Sequence, residues 1–224
     1  DTDCVAEQPD VLWAGLPRAM REVDLGAMIG QLLVTSFRGD DVGDPGARRA
    51  VEALAEGRIG GVLFFRHNVG TREEIAALTA AMRAAHPALE PFLAVDQEGG
   101  AVARLGPAEG VPELPSARRL AELPLAEARE MFAATARGLS ELGFNLNLAP
   151  VVDLDLEPRN PVIARFGRAF ARDADRVAAY AGAFVDAHRE AGVLTALKHF
   201  PGHGSSLEDS HDGTADVTLT WRKR

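Results

Sequence analysis

Short, largely apolar runs that alternate with amphipathic helical stretches constrain this chain more than any other feature. Leu32 to Phe37, Ile59 to Phe65, Pro91 to Val95, Phe144 to Ala149 and Val193 to Leu197 are each of strand length. Ile59 to Phe65 is too apolar to lie half exposed. Helical signals stand between them. Asp24 can cap a short helix from Leu25 to Gln31. Pro45 opens a helix that Gly57 closes. Thr71 and Glu74 form a capping box ahead of Ile75, Leu78 and Met82, with Pro87 just past the helix end. A short helix is expected near Ser116 to Leu123, and a long one from Leu125 to Leu142, ended by Gly143. Asp173 caps a last helix lined by Val177, Ala181, Phe184 and Val185, and Gly192 ends it.

Strand and helix in repeated alternation predict a parallel sheet covered by helices. Two architectures satisfy that pattern, a (β/α)8 barrel and an open doubly wound sheet. Gly99-Gly100 lacks the G-x-G-x-x-G spacing of a dinucleotide site. Long charged loops after the third, fourth and fifth strands favour the barrel, whose chemistry sits at the carboxyl ends of its strands. A complete barrel has eight strands and about 250 residues, yet the fifth strand here ends at Leu197 of 224 residues. The expected fold class is therefore α/β, a TIM (β/α)8-type barrel that is incomplete, with about five of eight units. Residues 1–24 read as a lead-in and 25–224 as the partial barrel domain.

Composition excludes several classes. Net charge is −9 and the pI about 5.2, so there is no basic footprint for nucleic acid. No apolar run approaches the ~20 residues of a membrane helix. Cys4 is the single cysteine, which excludes an internal disulfide and a thiolate cluster. The chain opens Asp-Thr-Asp-Cys without methionine, as a trimmed or a processed product would. Cys4 so near the start points toward an exported or lipid-anchored form.

The densest polar stretch is Lys198-His199-Phe200-Pro201-Gly202-His203-Gly204 with Asp209-Ser210-His211. Lys198 and Lys223 are the only lysines in a chain that otherwise uses arginine. Asp209, two residues before His211, can hydrogen-bond the imidazole, fix its tautomer and raise its pKa, giving a general acid/base. Lys198 and His199 end the fifth strand and Asp96 ends the third, where they can grip hydroxyl groups. Arg104 and Arg168 are candidate partners of Asp96 or further donors, and Glu98 reads as a structural residue of the turn. Two rival sites fare worse. His199 and His203 are four apart, but Pro201 and Gly202 between them prevent the helix that would join both to one metal. A phosphate cradle over Pro201 to Ser206 would face Glu208-Asp209. No metal and no cofactor is expected.

These residues resemble the β-N-acetylhexosaminidase branch of glycoside hydrolase family 3. The resemblance rests on the Lys198 to Gly204 stretch with Asp209-Ser210-His211, and on Ile29-Gly30-Gln31-Leu32 and Ile59-Gly60-Gly61-Val62. It extends to Val95-Asp96-Gln97-Glu98-Gly99-Gly100 with Arg104, Asn147 to Asp153, and Asn160-Pro161-Val162-Ile163. It covers roughly residues 25–221. It implies a retaining hydrolase of β-linked N-acetylglucosamine in cell-wall muropeptide or chitin-type fragments. By motif, His211 would be the acid/base and Asp209 its dyad partner, while Asp96, Arg104, Arg168, Lys198 and His199 would bind the sugar. Arg165 lies close to Arg168 in the same motif. Ala101 stands where many members carry arginine.

The family's nucleophile is an aspartate on a later strand. Nothing after His211 matches its motif, Asp212 and Asp216 belong to the acid/base loop, and Asp153 and Asp155 look structural. The expectation is that this segment alone does not turn over substrate. The alternatives are a β-N-acetylglucosaminide phosphorylase, since a histidine acid/base does not repel phosphate, and a non-catalytic sugar-binding relative.

Overall fold

The computed structural model describes residues 25–85 and 89–214. The lead-in over 1–24, the Asp24 cap, Pro87, Asp216 and Lys223 lie outside these residues. The elements run α1 (Leu25–Gly30), β1 (Val34–Ser36), α2 (Pro45–Ala55), β2 (Gly61–Phe64), α3 (Arg72–Ala85) and β3 (Phe92–Val95). They continue α4 (Ala117–Leu120), α5 (Leu125–Glu141), β4 (Leu146–Asn147), α6 (Ala174–Glu190) and β5 (Leu194–Thr195). Single 3-10 turns occupy Arg66–Asn68 and Pro107–Glu109.

The five strands form one sheet in the order β1-β2-β3-β4-β5. Every pairing is parallel, with Val62 against Leu93, Val95 against Asn147, and Asn147 against Thr195. Each strand neighbours its sequence predecessor, so the order has no reversal of the kind that defines an open doubly wound sheet. All carboxyl ends therefore share one rim.

The helix signals act as read. Glu74 Oε2 accepts from the Thr71 N–H at 2.6 Å, and Thr71 Oγ1 accepts from the Glu74 N–H at 3.3 Å, closing the box ahead of α3. Asp173 Oδ1 accepts from the Arg176 N–H at 2.9 Å at the start of α6. Inner faces of α2 and α3 pack on the sheet through Leu54, Ile75, Leu78 and Met82. Phe37, Phe64 and Phe144 form an edge-to-face series there, with centroids 5.0 Å apart at each step. A second core joins α5 to α6 through Phe132, Phe170, Tyr180 and Phe184.

The strands are shorter than the apolar runs. Asn145, just before β4, uses its side chain to accept from the Leu93 N–H and donate to the Pro91 carbonyl. The Asn145 N–H still bonds the Leu93 carbonyl, so its side-chain amide adds to the two-residue ladder at that end. The two edge strands are more exposed than β2, which was expected to be buried. β1 is exposed along its length, and Leu194 of β5 is also exposed. Among the described residues each of these strands is paired on one side only, so nothing described covers the other.

Candidate active site

β3 runs into Asp96-Gln97-Glu98, and a sharp turn must follow at once. Gly99 and Gly100 provide it with φ of +100° and +57°. A Cβ on Gly99 would lie 2.5 Å from the Pro115 carbonyl oxygen, so this turn requires glycine. The chain after β4 runs through Pro150 to Asp153, and β5 leads into Lys198 and His199. The Ala149–Pro150, Lys198–His199 and Phe200–Pro201 peptide bonds are cis.

These strand ends converge. Lys198 Nζ donates to Asp96 Oδ1 and pairs with Glu98 Oε1, both at 2.7 Å. Arg168 holds Glu98 in a two-pronged pair, with Nε on Oε2 and Nη2 on Oε1, each at 2.8 Å. Glu98 therefore sits at the centre of the cluster, where the sequence had suggested a turn residue set apart from the site. Arg168 joins Glu98 rather than Asp96. Arg104 approaches Asp96 Oδ2 at 3.6 Å, and its Nε is buried with no hydrogen-bond partner. Arg165 does not join the cluster and stacks on Phe166, 5.3 Å from the ring centroid.

Asp153 is the second centre. Its Oδ2 accepts from His199 Nδ1 and its Oδ1 from the His203 N–H, both at 2.6 Å. Burial pushes this carboxyl upward, but the His199 and His203 hydrogen bonds outweigh it, and the net pKa is lowered. An ionised Asp153 places the His199 proton on Nδ1, so Nε2 faces Arg168 Nη2 at 3.4 Å as an acceptor. The segment read as structural thus orients a predicted site residue. Asp155 is held by Arg118 at 2.8 Å.

The loop 200–211 leaves this rim. Gly204 packs so tightly on the Leu154 carbonyl that any Cβ would overlap it. Asn160 anchors the same loop by donating to the His203 and Ser206 carbonyls, each at 2.8 Å. Asp209 Oδ1 accepts from both the His211 N–H at 2.9 Å and His211 Nδ1 at 2.7 Å. These two bonds, the backbone one first, lower the Asp209 pKa. The His211 ring stands 82% exposed. Ser210 Oγ lies 3.2 Å from His203 Nε2, linking this loop back toward Asp153. The His199 and His203 rings lie 5.9 Å apart in an edge-to-face arrangement, with nitrogens turned to Asp153 and Ser210 respectively.

The structure therefore brings Asp96, Arg104, Arg168, Lys198 and His199 together and pairs Asp209 with His211 at the end of the same loop. Sequence reasoning missed Glu98 and Asp153 as members of the cluster, and also three buried neighbours, Gln97, Asn147 and His188. His188 falls four residues after Phe184 on the inner face of α6, and this spacing was a usable signal.

The family profile described as "Glycosyl hydrolase family 3 N terminal domain" matches residues 25–222. A relative named beta-hexosaminidase A from Pseudoalteromonas piscicida is 36% identical over 209 residues, covering 85% of this chain and 35% of the relative. A beta-hexosaminidase from Pseudomonas aeruginosa is 40% identical over 162 residues, covering 71% of this chain and 47% of the relative. The solved structure of a glycoside hydrolase family 3 beta-N-acetylglucosaminidase from Paenibacillus superposes with a TM-score of 0.76 at 33% identity. That superposition covers 84% of this chain and 35% of the other. The chain thus spans less than half the length of these relatives. Its match to the profile runs from α1 past the dyad loop, and by that match the chain belongs to glycosyl hydrolase family 3, through the family's N-terminal domain.

Proposed function

We propose that this chain is the sugar-gripping and acid/base part of a (β/α)8-barrel glycosidase that removes terminal β-linked N-acetylglucosamine from muropeptide or chitin-type fragments. The observation that carries the reading is the 2.7 Å bond between Asp209 and His211, on the loop that leaves the Lys198–His199 end of β5. With Nδ1 committed to Asp209, Nε2 is the nitrogen that gives its proton to the glycosidic oxygen as the C–O bond breaks. It later takes a proton from the attacking water. Asp209 fixes the tautomer and stabilises the imidazolium that donates in the first step and re-forms in the second, the ring being neutral between them.

The proposed grip uses groups with unspent hydrogen-bonding capacity. Lys198 places two N–H bonds on Asp96 and Glu98, so a third serves a sugar hydroxyl. Arg104 adds a donor beside Asp96, and His199, whose Nε2 faces Arg168 Nη2, serves by positioning that guanidinium. Arg168 spends two nitrogens on Glu98, so it acts through Nη1 and through the position it gives Glu98.

The four carboxylates of this rim, Asp96, Glu98, Asp153 and Asp209, are each held by a cation or an imidazole, so none is assigned the nucleophile's role. The chain by itself is therefore expected to be inactive. The test compares the 224-residue chain with the whole protein. It uses 4-nitrophenyl N-acetyl-β-glucosaminide with and without phosphate. Nitrophenol and free sugar from the whole protein alone support the proposal. Phosphate-dependent sugar 1-phosphate would make it a phosphorylase, and calorimetric binding without turnover would make it a sugar-binding protein. Turnover by the isolated chain at an enzyme-like rate would contradict the assignment of roles.

A further inference from the structure

β4 ends at Asn147, and the chain beyond it stays beside the segment that follows β5, with Val151 bridged to Lys198. The β3–β4 ladder ends at the Val95–Asn147 pair, with the Leu148 N–H on the Val95 carbonyl, and Gln97 lies two residues past the end of β3. The Asn147 side chain reaches it. Its Oδ1 accepts from the Gln97 N–H at 3.0 Å, and its Nδ2 donates to the Gln97 carbonyl at 3.0 Å. The amide thus makes both bonds that a parallel neighbour would make.

An asparagine amide can turn over and present its ends in reverse. His188 prevents this. His188 Nδ1 lies 2.9 Å from the Phe184 carbonyl, which can only accept, so Nδ1 carries the proton. Nε2 is then an acceptor, 3.1 Å from Asn147 Nδ2. Burial lowers the His188 pKa to about 4, so the ring is neutral across the physiological range and keeps that lone pair. His188, Asn147 and Gln97 are all buried.

Gln97 passes the constraint on. Its backbone lies between Asp96 and Glu98, the two carboxylates that share Lys198. Its side-chain Oε1 accepts from the N–H groups of Arg104 at 2.9 Å and Leu105 at 3.1 Å, and its Nε2 donates to the Leu105 carbonyl at 2.9 Å. Asp96 and Glu98 thus hang on the Gln97 backbone, which Asn147 and His188 of α6 hold, and Arg104 hangs on the Gln97 side chain.

We infer that His188 and Asn147 are positioning residues of this site: through Gln97 they set Asp96, Glu98 and Arg104 in register with Lys198 for sugar binding. The inference rests on the proposed function for the ligand it names. Nothing in it requires contact between His188 or Asn147 and the sugar.

The test uses the whole protein with the nitrophenyl substrate. His188→Leu removes the acceptor, and Asn147→Leu removes both bonds to Gln97. Each is expected to raise KM by about tenfold or more, with kcat within about threefold of wild type. His188→Gln restores an acceptor and is expected to return KM to within about threefold of wild type. Leu78→Ala, in the core under α3 and away from the site, serves as a destabilised comparison whose KM stays at the wild-type value. A KM unchanged in His188→Leu and Asn147→Leu, with activity falling only as the folded fraction falls, would overturn the inference. So would His188→Gln raising KM as far as His188→Leu does. If the wild-type protein binds N-acetylglucosamine but does not hydrolyse the glycoside, the proposed function is what fails, and the same variants are compared by calorimetric Kd with the same expected ratios. Absence of both hydrolysis and binding by wild type would overturn both.

Discussion

Asp153 ties two segments together with one carboxylate, and both bonds are charge-assisted at 2.6 Å. Replacing it by asparagine leaves the His199 Nδ1–H and the His203 N–H with weaker acceptors in a buried place. Asp153→Asn is expected to lower stability by about 2 kcal/mol in urea unfolding. Because the folded-state pKa of Asp153 lies below its unfolded value, its stabilisation is complete above the ordinary carboxylate range and is lost as pH falls through the folded value. The acid limb of a stability–pH curve should therefore flatten in Asp153→Asn. His188 acts at higher pH. Its pKa falls from 6.5 unfolded to about 4 folded, so between those values the unfolded chain binds a proton that the native one does not. Stability should decline as pH drops from 6.5 toward 4, by up to about 3 kcal/mol from this group. In His188→Gln that decline should be absent from urea titrations over the same window.

Helices declared themselves in the sequence because their signals are local. Asp173, the Thr71–Glu74 box and the closing glycines act within four residues of themselves. Asp173→Ala removes the acceptor for the Arg176 N–H and should cost about 1 kcal/mol in thermal unfolding. Strand lengths were less legible. Phe144 to Ala149 reads as six residues of strand, but the strand holds only Leu146 and Asn147, and the Asn145 and Asn147 side chains bond the β3 segment at its two ends. An asparagine in an apolar run looks the same whether it faces solvent or bonds the neighbouring segment. The exposure of β1 and β5 is not legible in their apolar runs, because such a run does not tell whether its strand has one neighbour or two.

At the scale of the molecule, the site exists because five parallel strands bring their carboxyl ends to one rim. The residues of the rim could be nominated from their place after each apolar run. Their pairing could not. Lys198 meets Asp96 across 102 positions of sequence, and Arg168 meets Glu98 across 70, distances at which no local rule selects a partner. Among the described residues no helix is long and apolar enough to cross a membrane. The Asp209–His211 pair was legible because both members lie within three residues, and it carries the proposed chemistry. The most direct test is kcat of His211→Ala in the whole protein, on an N-acetylglucosaminide with a poor, alkoxide-type leaving group and on the nitrophenyl glycoside. The account predicts a loss of about 10²–10⁴-fold on the poor leaving group and a much smaller one on nitrophenol, which departs without proton donation. A kcat near wild type on the poor leaving group would contradict it.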